Sequence, residues 1–343
     1  MPANLTPEYK NAQDAFRRAR DSKERLECLR EMLRTIPKHK GSEHLQADIK
    51  TRIKELTEEV AGPRKGGARG GPTLFIRPEG AAQIQLLGPP NVGKSSLHAR
   101  LTGSHAAIGP YPCTTKFPLP GMLRHEDIHF QLVDLPPITG AALEPWIGHT
   151  LQAADGVLLV LDLGDPECVD HITAIGQRLD DKRVTLLEGF ELPAGTRGSA
   201  RDDEQLDDPF RLHLPAVLVA NKSDLHADPV EELEAFRQLA GIRYPAVAVS
   251  AETGQGLDRI GPLLFEALGI VRVYTKAPGQ APATDRPFTV RRNGTVRDVA
   301  RLVHRGLAAE VKFARLWGSA GFGGQQVSCD HSVRDGDVVE LHR

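Results

Sequence analysis

Apolar spacing divides the chain into three regions. Over residues 7–61 charged residues dominate, and the apolar positions recur at steps of three and four. Leu26, Leu29, Leu33 and Ile36 form one stripe, and Leu45, Ile49, Ile53, Leu56 and Val60 form a second. Such spacing puts each set on one face of a helix. Pro37 and Gly41 fall between the stripes, and Ser42 with Glu43 opens the second, so a helical hairpin is expected over 1–62. Residues 63–72 (PRKGGARGGP) carry no apolar period and read as a flexible basic linker.

From Thr73 the runs shorten to strand length, at 84–87, 128–133, 156–163, 216–220 and 246–249, with helical stretches between them at 141–153, 167–179, 230–240 and 256–268. Strands alternating with helices predict a mostly parallel, doubly wound α/β sheet over 73–269, with ligands at the C-terminal ends of its strands. Residues 180–213 become polar and irregular in their second half and are expected to form a surface excursion. A third pattern begins at Ile270. Strands near 271–275, 288–290 and 337–341 surround one helix near 296–309, as in a small β-grasp domain over 270–343. Phe313 and Trp317, four residues apart, are expected in its core.

Composition narrows the class. The 343 residues suggest two or three domains, and a formal net charge of −2 gives no global signal for a polyanion partner. Cys28, Cys113, Cys168 and Cys329 are scattered without a C-x-x-C pair, which fits a reducing compartment better than a disulfide framework. The first ten residues lack the basic start and apolar run of a secretion signal, and the longest apolar run, 157–161, is too short to cross a bilayer. A soluble cytoplasmic protein without a membrane role is the expectation.

Two short strings carry the chemistry. Gly88, Pro89, Pro90, Asn91, Val92, Gly93, Lys94 and Ser95 spell G-x-x-x-x-G-K-[ST], with Ser96 following. The glycines of such a loop let backbone N–H groups surround phosphates, the lysine reaches the β- and γ-phosphates, and the serine hydroxyl ligates Mg²⁺. Far downstream Asn221, Lys222, Ser223 and Asp224 spell N-K-x-D. The Asp224 carboxylate can accept from the guanine ring N–H and exocyclic amine, which adenine cannot offer. Both strings in this order, each at a strand end, point to GTP and GDP as ligands.

Further loops would complete the site. Thr115, or Thr114 in its place, is expected to give a hydroxyl to Mg²⁺ and an N–H to the γ-phosphate. Asp134, at the end of its strand, should hold Mg²⁺ through water. Ser250 and Ala251 should meet the guanine O6 through backbone N–H groups. Lys94, Thr115 and Asn91 are the candidate catalytic residues, with Ser95, Thr115 and Asp134 around the metal. The Asn91 side-chain oxygen either ligates a K⁺ beside the phosphates or bonds locally within its loop. Two residues depart from a D-x-x-G switch: Pro137 has no N–H to offer a γ-phosphate. Ile138 stands where a Gln would orient the attacking water.

With these loops in place the chain resembles the Obg superfamily of GTPases, and most closely the developmentally regulated GTP-binding protein (DRG) family. The phosphate loop with Tyr111-Pro-Cys-Thr-Thr115 is similar to that family's loop and its Y-x-F-T-T switch. The segment 36–45, the Gly-rich stretch 66–71, and the segments 270–279 and 312–318 resemble its helical region, its linker and its closing TGS domain. The resemblance implies GTP hydrolysis coupled to the ribosome or RNA, with the helical hairpin open to a protein partner. Between Val271 and Arg343 ten Arg and two Lys stand against five Asp and two Glu, and Arg297, Arg301 and Arg305 recur every four residues. That stripe is either a phosphate-meeting surface or a solubilising helix face. A slow GTPase acting as a Mg²⁺-dependent regulatory switch is the leading reading. A guanine-nucleotide-binding adaptor with negligible turnover is the alternative.

Overall fold

The computed structural model describes residues 6–19, 22–37, 42–61, 76–104, 117–138, 145–187, 210–304, 306–319 and 321–343. The linker at 63–72 and the loop carrying Thr114 and Thr115 lie outside these residues. The chain divides into two compact units, the first formed by 1–74 with 196–212 and the second by 75–195 with 213–343.

Among its described residues the first unit has three helices rather than the expected two: α1 (Pro7–Arg18), α2 (Ser22–Thr35) and α3 (Glu43–Ala61). Tyr9, Ala12 and Phe16 give α1 its own three-and-four stripe, all buried. Thr6 caps it by accepting from the Tyr9 N–H at 3.2 Å, and Pro7 sits at its first turn. These residues pack with Leu26, Leu29, Met32, Ile49 and Leu56. Phe210 closes this core edge-on to Phe16, with ring centroids 5.9 Å apart.

In the second unit one sheet runs in the order β2 (Leu119–His125), β3 (Ile128–Asp134), β1 (Ala82–Leu87), β4 (Gly156–Asp162), β6 (Leu212–Asn221), β5 (Val184–Leu187), and β7 (Ala246–Ala248) also pairs with β6. Strands β3, β1, β4, β6 and β7 pair in parallel, and β2 is antiparallel to β3. All six residues of β1 are buried, as expected of a central strand covered on both faces. Around the sheet lie α4 (Lys94–Thr102), α5 (Pro145–Ala153), α6 (Cys168–Asp181), α7 (Pro229–Ala240) and α8 (Ile260–Ala267). Of the excursion expected over 180–213, residues 188–209 lie outside the described residues, while α6 runs to Asp181 and β5 joins the sheet.

A second sheet has the order β11 (Gln325–Val327), β10 (Phe313–Trp317), β12 (Asp337–His342), β8 (Ile270–Thr275), β9 (Ala283–Arg291) and packs on α9 (Val296–Val303). The predicted helix to 309 breaks instead at His304, whose backbone is extended, and resumes as the short α10 (Leu307–Glu310). Phe313 and Trp317 are not core residues. Strand side chains alternate, and Ala314 and Leu316 take the buried face. On the opposite face Phe313 stacks on His342 at 4.7 Å, and Lys276 Nζ lies 4.0 Å over the Trp317 ring. Arg297 and Arg301 are ion-paired with Asp330 and Asp298, so the basic stripe is partly neutralised. Arg305 lies outside the described residues.

The two sheets meet at a polar seam on the β2–β3 turn. Arg272 on β8 pairs with Glu126, with Asp127 at 3.0 Å and with Asp335 at 2.7 Å, and its guanidinium lies 5.0 Å over the Phe265 ring. The Tyr274 hydroxyl donates to Asp127 at 2.5 Å. Burial alone would raise the Asp127 carboxyl, but hydrogen bonds from Tyr274 and Arg272 outweigh it and hold it below its ordinary range. Hydrogen bonding to Asp127 in turn pushes Tyr274 up to about 12. Arg291 adds a second tie, to the buried Asp155 at 2.9 Å.

Candidate functional site

The site forms where β1, β3, β4 and β6 end. Strand β1 delivers Gly88 into a turn so tight that an added Cβ would lie 2.2 Å from the Val160 carbonyl oxygen. Asn91 (φ 61°) and Gly93 (φ 83°) take left-handed backbone, which explains an asparagine at 91 without any ion. The loop then feeds directly into α4, whose first backbone N–H groups and dipole favour an anion. Lys94 is 6 % exposed, with Nζ on the Gly88 and Pro89 carbonyls at 3.2 and 3.1 Å. The Ser95 hydroxyl donates to Asp134 Oδ2 at 2.6 Å, so these two predicted metal residues converge.

Asn221 joins the phosphate half of the site to the base half. Only 2 % exposed, it donates from Nδ2 to the Val92 carbonyl at 2.9 Å and accepts the Ala251 N–H on Oδ1 at 3.0 Å. Asp224 stands exposed on a single helical turn at Ser223–Leu225. Ser250 is fully buried. Its N–H donates to the Gln255 carbonyl at 3.0 Å, while its hydroxyl accepts from the Thr253 N–H at 3.0 Å. The N–H groups of Ser250 and Ala251 thus both have partners within the protein, whereas the sequence pattern offers them to guanine.

Three features escape the motif reading. Lys222 Nζ lies 2.7 Å from Asp162 Oδ2, so Asp162 positions the lysine of the guanine loop. The apolar run of β4 ending on an acid, as β3 ends on Asp134, is the signal that would have found it. His98 on α4 is buried against the Leu132 carbonyl (3.3 Å) and the Ser104 hydroxyl (3.2 Å), and desolvation lowers its pKa, keeping the ring neutral. Finally, Ile138 is 5 % exposed, and its N–H donates to the Gly88 carbonyl at 3.0 Å.

The comparisons agree with this geometry. Residues 83–188 match the family described as 50S ribosome-binding GTPase, and residues 271–343 match the TGS domain. Fold and site together define a P-loop GTPase-fold protein with a C-terminal TGS domain. Two Arabidopsis thaliana relatives, developmentally-regulated G-proteins 2 and 1, are each 29 % identical over 91 % of this chain and 88 % of their own length. An uncharacterized GTP-binding protein of Methanocaldococcus jannaschii is 27 % identical over 93 % of this chain and 92 % of its own. Along most of its length the chain is thus similar to proteins named developmentally-regulated G-proteins. Among the described residues no helix is long and apolar enough to cross a membrane.

Proposed function

We propose that this protein hydrolyses GTP slowly to GDP and phosphate, with Mg²⁺, and acts as a regulatory switch on the ribosome or another RNA in the cytoplasm. The observation that carries the nucleotide part is the Asn221 bridge, which supports a pre-formed site by tying the phosphate loop at Val92 to the last loop at Ala251. Ser95 and Asp134 offer adjacent hard oxygens, a donor set suited to Mg²⁺. Bound there, the ion would neutralise charge developing on the β- and γ-phosphate oxygens. Lys94 adds a fixed positive charge for the same oxygens, Thr115 a further hydroxyl, and Asn91 an oxygen for K⁺. The ribosome or RNA part is supported by the description of the matched family and by the basic excess of the TGS domain. The helical unit over 1–62, joined by the 63–72 linker, is then a surface for a protein partner.

The low rate follows from Ile138, a buried aliphatic side chain that cannot orient water. The same residue favours a second reading, an adaptor that binds guanine nucleotide with negligible turnover. Steady-state phosphate release at saturating GTP decides between them, measured with and without ribosomes and with K⁺ or Na⁺. Turnover that rises with ribosomes or K⁺ is the expected result. Release no faster than in protein-free controls under every condition leaves the adaptor.

A further inference from the structure

Residues 134–138 are tied to the phosphate loop by the protein itself. Leu135 is fully buried and Ile138 nearly so. The Gly88 carbonyl that accepts the Ile138 N–H also accepts Lys94 Nζ. The backbone at Gly88 runs so close to β4 that an added Cβ would lie 2.2 Å from the Val160 carbonyl oxygen. One residue earlier, Pro137 has no N–H and a nearly fixed φ. GTPase switch loops are ordered by contacts to the γ-phosphate and its Mg²⁺ and are released on hydrolysis. Here position 137 has no backbone donor, and the donor at 138 is already engaged. For Ile138 to turn its N–H to a γ-phosphate, the bond to Gly88 would have to break and a buried side chain would have to leave its apolar surroundings.

We propose that residues 134–138 form a fixed wall of the site, the same with GDP as with GTP, and that Pro137 and Ile138 remove γ-phosphate reading from this loop. Groups outside the segment then leave a preference for the triphosphate of no more than about tenfold. The inference rests on the guanine-nucleotide reading above and adds how that site discriminates between its two ligands. It differs from a D-x-x-G switch, whose glycine N–H would meet the γ-phosphate in the GTP state alone.

The test uses the full chain with Mg²⁺, GDP and a non-hydrolysable GTP analogue, each competed against a fluorescent guanine nucleotide. The wild type is expected to bind the two with affinities within about tenfold, since the charge-assisted contact that would separate them is absent. Backbone hydrogen exchange at Ile138 is expected to be equally slow in both complexes. Pro137→Gly, which restores a donor, should raise the analogue-to-GDP affinity ratio by about tenfold or more. A wild-type preference for the analogue beyond tenfold overturns the proposal, as does exchange at Ile138 that slows only with the analogue. An unchanged ratio in Pro137→Gly overturns the role of the proline. Should that variant fail to fold, the two wild-type measurements still decide. A wild type that binds neither nucleotide overturns the guanine-nucleotide reading beneath, whereas tight binding with a strong preference overturns the wall alone.

Discussion

One added methyl group tests whether the phosphate and base loops act as a single unit. Gly93 has φ 83° and ψ 25°, and a Cβ placed there would lie 2.4 Å from Asn221 Nδ2. Two costs follow from Gly93→Ala, and they fall on different observables. Left-handed backbone costs a non-glycine residue about 1–2 kcal/mol, with or without nucleotide, so this part lowers stability. The clash moves Asn221, which is buried and held at both ends, by Val92 and by Ala251. Each of those bonds contributes about 1 kcal/mol, and both set the distance between the two ligand loops. Their loss therefore falls on affinity, at roughly 2 kcal/mol or about 30-fold.

Gly241→Ala separates the terms, because Gly241 has φ 65° with nothing within 4 Å of an added Cβ. It should lose about 1–2 kcal/mol of stability by strain alone and keep its affinity. Thermal unfolding without nucleotide and fluorescent-GDP titration read the two quantities. If Gly93→Ala binds GDP within about threefold of wild type, the Asn221 bridge does not couple the loops and the reasoning is wrong.

Three further outcomes follow. Lys94→Ala should abolish nucleotide binding, since losing one charge from a clustered triphosphate contact costs several kcal/mol; unchanged affinity in equilibrium dialysis would remove the phosphate-loop assignment. Asp224→Asn should reduce the preference for GTP over XTP, and a preference as strong as wild type in competition binding would place base reading elsewhere. The seam should weaken in acid. Desolvation alone would raise Asp127 and Asp335, yet hydrogen bonds from Tyr274 and Arg272 to the first, and from Arg272 to the second, hold both below the ordinary 3.8. A depressed carboxyl contributes stability that is fully present above its unfolded value and is lost as pH falls through its folded value. The stability difference between wild type and Arg272→Ala should thus be constant above about pH 5 and shrink below about pH 4; a difference independent of pH would mean the ion pairs contribute nothing.

What could be read from the sequence was what neighbours in the chain determine. The glycines of 88–93 and the apolar runs of β1, β3 and β4 dictate a strand, a turn and a helix in succession, so the phosphate loop and the end of β3 were legible. The same locality explains the errors. The Tyr9, Ala12 and Phe16 stripe lies in the sequence too, interleaved with polar and charged residues. For Phe313 and Trp317 spacing alone is ambiguous, because a step of four puts two residues on one face of either a helix or a strand. Which face is buried depended on Ala314 and Leu316 and on the strands beside them. The Asn221–Val92 bond spans 129 residues, and Tyr274 reaches Asp127 across 147. No local pattern encodes such pairs, because the sheet order that brings them together is settled by the packing of the whole unit.

The long-range bonds also separate two properties that the motif reading joins. On the proposed reading, affinity draws on the Gly88 turn, Lys94, the Ser95–Asp134 pair and the Asn221 bridge. A D-x-x-G switch would add discrimination between GDP and GTP through the residue at 137, where proline offers no N–H. A chain can therefore keep the first intact while the second is rebuilt, since none of the affinity groups needs residues 137 or 138 to move. The Ile138 N–H is the point of contact between the two sets, because it binds the same Gly88 carbonyl that Lys94 binds. Any motion that freed this N–H for a phosphate would also disturb the carbonyl on which Lys94 rests. A fixed wall avoids that conflict, which is a physical reason for proline at 137 and a buried isoleucine at 138 to occur together.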